Sequence, residues 1–157
     1  MLPLRLMTKS NRTTGFPKPV PALVIRYAYL WQKEHVRGIE EGSKDRPCSI
    51  ILVTTESDNN KVVTVLPITH TPPSNPALAV EILTTTKRRL SLDDERSWIV
   101  VTEANRFTWP GPDLRPTKTG GASSVAYGLL PEVLFDEVKA KFLKAVKKHR
   151  TIVKRSQ

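Results

Sequence analysis

The stretch Gly38-Ile39-Glu40-Glu41-Gly42-Ser43-Lys44-Asp45-Arg46-Pro47, with the apolar run 48–53 after it, decides how this chain is read. A polar turn at 56–61 leads to a second apolar run that ends Val65-Leu66-Pro67-Ile68-Thr69-His70. Two such runs around a short polar turn predict an antiparallel hairpin of strands 48–55 and 61–68. Pairing across the turn brings Pro47 and Thr69 to the same open end, so Arg46 and Thr69 become neighbours although distant in sequence. The proline after Arg46 pushes its backbone toward extended geometry and sends its side chain out at the sheet rim. A guanidinium beside a hydroxyl and an imidazole suits a phosphate-bearing ligand. Each residue also has a plainer reading: a rim salt bridge from Arg46 to Asp45 or Glu41, a β-former at Thr69, an exposed loop histidine at His70.

Working outward, Leu23-Val24-Ile25-Arg26-Tyr27-Ala28-Tyr29-Leu30-Trp31 has the β-branched and aromatic content of a strand. Before it, Pro17, Pro19 and Pro21 favour extended, unpaired backbone, and residues 1–21 are expected to be a flexible tail. Residues 32–46 form a long charged loop. Residues 71–76, with three prolines, must be irregular; 78–83 and 97–102 are short strands, and 84–92 allows one or two helical turns. A second long loop runs from Trp109 through Gly121. A helix opens at Pro131 with Glu132, Asp136 and Glu137 in its early turns and lysines in its later ones, matching the helix dipole at both ends. Phe135, Val138, Phe142, Ala145 and Val146 keep a helical period and make one apolar face. The expected architecture is mainly β with a C-terminal α-helix: one domain over 22–150, built on a small, strongly bent antiparallel sheet or barrel, with a basic tail at 151–157.

The 157 residues suffice for a substantial core. The single cysteine, Cys48, rules out a disulfide within the chain and agrees with a reducing cytoplasm. No apolar run approaches the ~18 residues of a membrane span. The net charge of +10 is located at the ends: residues 1–22 carry four Lys/Arg and residues 139–157 carry eight, with no acids in either segment. Such ends raise affinity for any polyanion without giving specificity, and equally make a solvated helix face.

Metal ligation is not expected, because His35, His70, His149 and Cys48 form no spaced ligand set. No phosphate-cradling glycine loop and no nucleophile elbow is present. Glu103-Ala104-Asn105-Arg106 follows a strand, where a carboxylate either acts as a base or holds an arginine. Phe107 and Trp109 among Arg106 and Arg115 make an aromatic–basic mixture that either stacks bases or anchors a loop.

Taken in order, the loop at 38–42, Arg46-Pro47 with Ile50-Ile51-Leu52-Val53, the strand 63–66 ending Pro67-Ile68-Thr69, Ala79-Val80-Glu81-Ile82, and Glu103 with Arg106 resemble the MazF/PemK-type toxins of bacterial toxin–antitoxin pairs. The resemblance covers about residues 22–149. It implies an SH3-like barrel that forms a cytoplasmic homodimer. It implies a sequence-selective endoribonuclease, without metal or other cofactor, that cuts single-stranded RNA and is neutralised by a cognate antitoxin. The family's arginine falls on Arg46, its strand-end threonine on Thr69, and a carboxylate used by some members on Glu103; His70 is a second base candidate. Glu41, Ser43 and Lys44 in the early loop, with Asn105, Arg106 and Trp109, are the expected RNA contacts. The chain has Ile39 and Val101 where some members carry a histidine and an arginine, so the base–acid pairing of those members does not transfer. The alternatives are a non-catalytic RNA-binding barrel and a CcdB-like gyrase poison; the ending Val153-Lys154-Arg155-Ser156-Gln157 lacks the aromatic C-terminus of the latter.

Overall fold

The computed structural model describes residues 16–38, 44–117, 124–148 and 152–155. Strands β1 (Leu23–Tyr27), β2 (Arg46–Thr55), β3 (Lys61–Thr69), β4 (Ala79–Glu81), β5 (Trp98–Val100), β6 (Ala104–Thr108), β7 (Ala126–Leu129) and β8 (Ile152–Lys154) form one sheet. Helices α1 (Gln32–Val36), α2 (Thr84–Arg89) and α3 (Glu132–Lys148) punctuate them.

The expected hairpin forms the centre. Its turn is closed by the Glu56 amide on the Asn60 carbonyl and the Asn60 amide on the Asp58 carboxylate, with Asn59 at φ 70°. That left-handed backbone is one that Asn tolerates better than most residues. β3 then serves three neighbours. β2 runs along one edge, while β6 pairs with Val62 to Val65 and β5 pairs with Ile68 and Thr69 on the other. Two partners on one edge bend the sheet there. The path β4-β5-β3-β2-β1-β7 stays an open ladder. Helix α2 bridges toward its far end: Arg89 Nη2 donates to the Leu129 carbonyl at 2.8 Å. Gly128 has φ +138°, a backbone conformation that favours glycine, and a Cβ there would stand 2.9 Å from Leu90 Cδ2, so the leucine would have to shift.

The continuous apolar runs of β1 to β3 arise because their residues feed two cores. Val24, Leu66, Ile68, Val80 and Ile99 face α3 and meet Phe135, Val138, Phe142 and Ala145. Ile25, Tyr27, Cys48, Ile50, Val63 and Val65 face the other way and meet Phe107. A strand buried on both faces loses the polar alternation of a half-exposed one. The helix face read from sequence is therefore the buried one, with Val146 half-buried beside it.

Three features differ from expectation. The loop 32–46 contains α1, because Glu34 and Glu103 supply acceptors for its first amides. Strand β6 lies in the segment read as a strand end, and β7 in a stretch after the second loop for which the sequence reading names no element. Most of all, residues 152–155 are not a solvated tail: β8 pairs in parallel with β6, Val153 is buried, and Arg155 is 8% exposed. Arg155 Nη1 donates to the Ala28 carbonyl at 3.0 Å and to Asn105 Oδ1 at 2.9 Å, and Nη2 pairs with Asp113 at 3.1 Å. No helix among the described residues is long and apolar enough to cross a membrane.

Candidate active site

Arg46 opens β2 where the register runs Tyr27↔Arg46 on one side and Cys48↔Pro67 on the other. Continuing that register by two residues puts Arg46 opposite Thr69. Both line a pocket of about 410 Å³, together with Trp31, Lys33, Pro72 and Thr102. Arg46 also borders two smaller pockets, of about 320 and 170 Å³. The first volume falls within the range typical of small-ligand sites.

Among the described residues no carboxylate pairs with Arg46. The nearest candidate in sequence, Asp45, is instead held between Arg26 at 3.6 Å and Arg115 at 3.5 Å. The guanidinium makes one long hydrogen bond, Nη1 to the Ile68 carbonyl at 3.4 Å. Its Cζ lies 4.9 Å from the centroid of the Trp31 ring. Its Nε is buried with no hydrogen-bond partner. Leaving such a donor unmet costs ~1–3 kcal/mol, and the aromatic contact returns ~0.5–2 kcal/mol of it. The Thr69 hydroxyl oxygen accepts the Thr71 amide at 3.2 Å, which leaves its proton free to donate.

Neither base candidate lines the 410 Å³ pocket, though His70 shares the 170 Å³ pocket with Arg46. Glu103 Oε1 accepts the Tyr29 hydroxyl at 3.1 Å and the Gln32 amide at 3.0 Å, and the residue does not line the Arg46–Thr69 pocket. Burial pushes its carboxyl above the ordinary range, against the opposing pull of those two hydrogen bonds. His70 follows Thr69 but lines the 170 Å³ pocket with Lys44. Its Nε2 lies 2.8 Å from Asp93 Oδ2, and Nδ1 lies 3.8 Å from Glu95.

Asp93 also accepts the buried Lys87 ammonium at 2.5 Å, and Lys87 donates further to Ser97 at 2.6 Å and to the Glu95 carbonyl. His70, Asp93 and Glu95 thus bring three possible ligand atoms within 4.8 Å of one another. The Lys87 ammonium sits on the Asp93 carboxylate, while the Glu95 carboxylate lies 3.8 Å from His70 Nδ1. Partial burial would raise Asp93, but the Lys87 and His70 hydrogen bonds outweigh it and hold the carboxyl below its usual value. A depressed carboxyl contributes stability above its unfolded value, and that contribution is lost as pH falls through the folded one. Asp93→Asn is therefore expected to lower the melting midpoint at pH 7 by about 5 °C. The deficit should shrink below about pH 4, measurable by thermal denaturation across pH.

The expected RNA contacts divide. Lys44 is exposed at the Arg46 end. Glu41 and Ser43 lie outside the described residues. Asn105 is corrected: it is fully buried, and its carboxamide exchanges both bonds with Leu30 (2.9 and 2.8 Å), so no nucleotide reaches it. Arg106 pairs across to Thr64, and the Trp109 amide binds the Lys61 carbonyl. Trp109 stacks on Phe107 at 6.1 Å and packs on the core. At ~3.3 Å per residue, the Lys61 end of β3 is up to about 26 Å from Thr69. Arg106 and Trp109 therefore do not share the Arg46 pocket, and Trp109 takes the loop-anchor role. Sequence reading missed Trp31 and Lys33 at the pocket; the one available signal was an aromatic residue placed directly before a charged loop.

No protein-family model matches the chain, and no curated protein matches it.

Proposed function

We propose that this chain is a metal-independent endoribonuclease of the MazF/PemK kind. It cuts single-stranded RNA to 2′,3′-cyclic phosphate and 5′-hydroxyl ends, works as a cytoplasmic homodimer, and is neutralised by a cognate antitoxin. One observation carries this reading. A half-buried guanidinium with no carboxylate partner among the described residues shares a nucleotide-sized pocket with a threonine whose hydroxyl proton is uncommitted. Such a pair is arranged for an anion that arrives from outside. Electrostatic stabilisation of developing charge is commonly the largest single term in catalysis.

In this mechanism the RNA 2′-hydroxyl gives its proton to solvent water and attacks the adjacent phosphorus, the bond to the 5′-oxygen breaks, and that oxygen takes a proton from water to leave as the 5′-hydroxyl. Arg46 meets the charge on the pentacoordinate phosphorane with its paired N–H groups. Thr69 donates to a non-bridging oxygen. Neither Glu103 nor His70 lines the 410 Å³ pocket, and His70 is engaged by Asp93 at 2.8 Å, so the proposal uses Arg46 and Thr69 and assigns the proton-accepting role to neither carboxylate nor imidazole.

The test is incubation with long single-stranded RNA in EDTA. Discrete fragments with cyclic-phosphate ends are expected. Intact RNA would end the proposal; a gel shift without cutting would indicate a binding module, and topoisomerase inhibition alone a gyrase poison. Thr69→Val, which keeps the shape and removes the donor, is expected to slow cleavage by about ten- to a hundredfold, with Thr69→Ser close to wild type. Single-turnover rates on one defined oligonucleotide check this.

A further inference from the structure

Three consecutive backbone amides beside the pocket are each tied by a different side chain. Leu30 N–H donates to Asn105 Oδ1 at 2.9 Å, Trp31 N–H to Glu34 Oε1 at 3.1 Å, and Gln32 N–H to Glu103 Oε1 at 3.0 Å. Asn105 and Glu34 are buried, and Asn105 returns a bond to the Leu30 carbonyl. The Tyr29 hydroxyl also donates to Glu103, and the Tyr29 ring meets Trp31 edge-on at 5.2 Å. Glu34 and Glu103 cap the first amides of α1, and with Asn105 they tie this corner to three segments, α1, the β5–β6 connection and β6, so its position is fixed. The corner holds the half-buried Trp31 ring, packed on the core, over Arg46.

We infer that Trp31 is a positioning residue for Arg46, and that Glu103 serves the site through this corner rather than as a proton acceptor. The inference rests on Arg46 being the phosphate-binding group proposed above. A free arginine side chain samples many rotamers, so its N–H fork is aimed at one point only part of the time. The ring removes much of that freedom before ligand arrives, so less is lost when the pocket-lining guanidinium binds. Misplacing a catalytic group by about 1 Å costs on the order of a hundredfold in rate.

The experiment uses the full chain with Trp31→Ala, Trp31→Phe, Glu103→Ala and Glu103→Gln. Two readouts are taken: kcat and KM for RNA cleavage, and the Arg46 Nε–Hε signal in NMR, assigned by its loss in Arg46→Lys. The wild-type Hε signal should be moved upfield by the indole ring current and exchange slowly with solvent. Trp31→Ala and Glu103→Ala should each lose at least about tenfold in kcat with KM changed by less than about threefold, and should release the Hε shift. Trp31→Phe and Glu103→Gln, which keep a ring and an acceptor oxygen, should restore both. If Glu103→Gln instead falls with Glu103→Ala while its Hε shift stays native, Glu103 acts on a proton and the inference is overturned. It is equally overturned if Trp31→Ala keeps the native kcat or the native Hε signal. Should the wild type cut no RNA, the ribonuclease reading fails by itself, and the Hε signal still decides whether Trp31 positions Arg46.

Discussion

Arg46→Ala protein is expected to cleave single-stranded RNA about a hundred- to a thousandfold more slowly than wild type, with its fold intact. The side chain makes one long hydrogen bond and no ion pair among the described residues, so its removal costs the fold little. What is lost is the donor fork at the phosphorane. Arg46→Lys should recover only part of the rate, because an ammonium supplies a point charge without the paired donors. Single-turnover rates, with thermal melts as the folding control, measure both. A native rate in Arg46→Ala would remove the mechanism even if the protein cuts RNA.

Arg155→Met is expected to be the most damaging single change to stability, costing about 3–5 kcal/mol. Arg155 is the cation for Asp113, and it donates to the Ala28 carbonyl and the Asn105 amide oxygen. Asp113 is itself mostly buried, so removing the arginine leaves a carboxylate with neither water nor a counter-charge. The melting midpoint should fall by about 10 °C or more. Asp113→Asn together with Arg155→Met should cost less than the two single changes added, because each single change strands the other group. Urea denaturation of the four proteins gives the coupling. A native midpoint for Arg155→Met would show the cluster to be unimportant.

The features legible in sequence were those carried by period and punctuation. The hairpin announced itself through two apolar runs and an Asp-Asn-Asn turn, and its register alone brought Arg46 to Thr69. Helix α3 showed its acid-rich start, its lysines and its apolar face. What stayed hidden was long-range and polar. Nothing local in Glu103-Ala104-Asn105-Arg106 says that Asn105 will be fully buried against Leu30, seventy-five positions away. Nothing in a basic C-terminal segment says that one arginine in it will be interior; its charge argues the opposite until Asp113 and Asn105 are seen to face it. Arg106 and Trp109 misled for a related reason. Their composition suits nucleic-acid contact, but the strand sets Arg106 opposite Thr64, midway along β3, and carries Trp109 to the Lys61 end. Chemistry alone could not reveal that distance.

The parallel pairing of β8 on β6, with Arg155 seated beside Tyr27, has a consequence for how the protein is made. Arg155 and Tyr27 are 128 positions apart. During vectorial synthesis the first strands emerge long before their last interior partner exists. Asp113 and Asn105 must wait, hydrated, in an unfinished cavity until residues 152–155 arrive. Closure of so wide a loop is slow, and the open nascent form exposes strand edges that invite association with other chains.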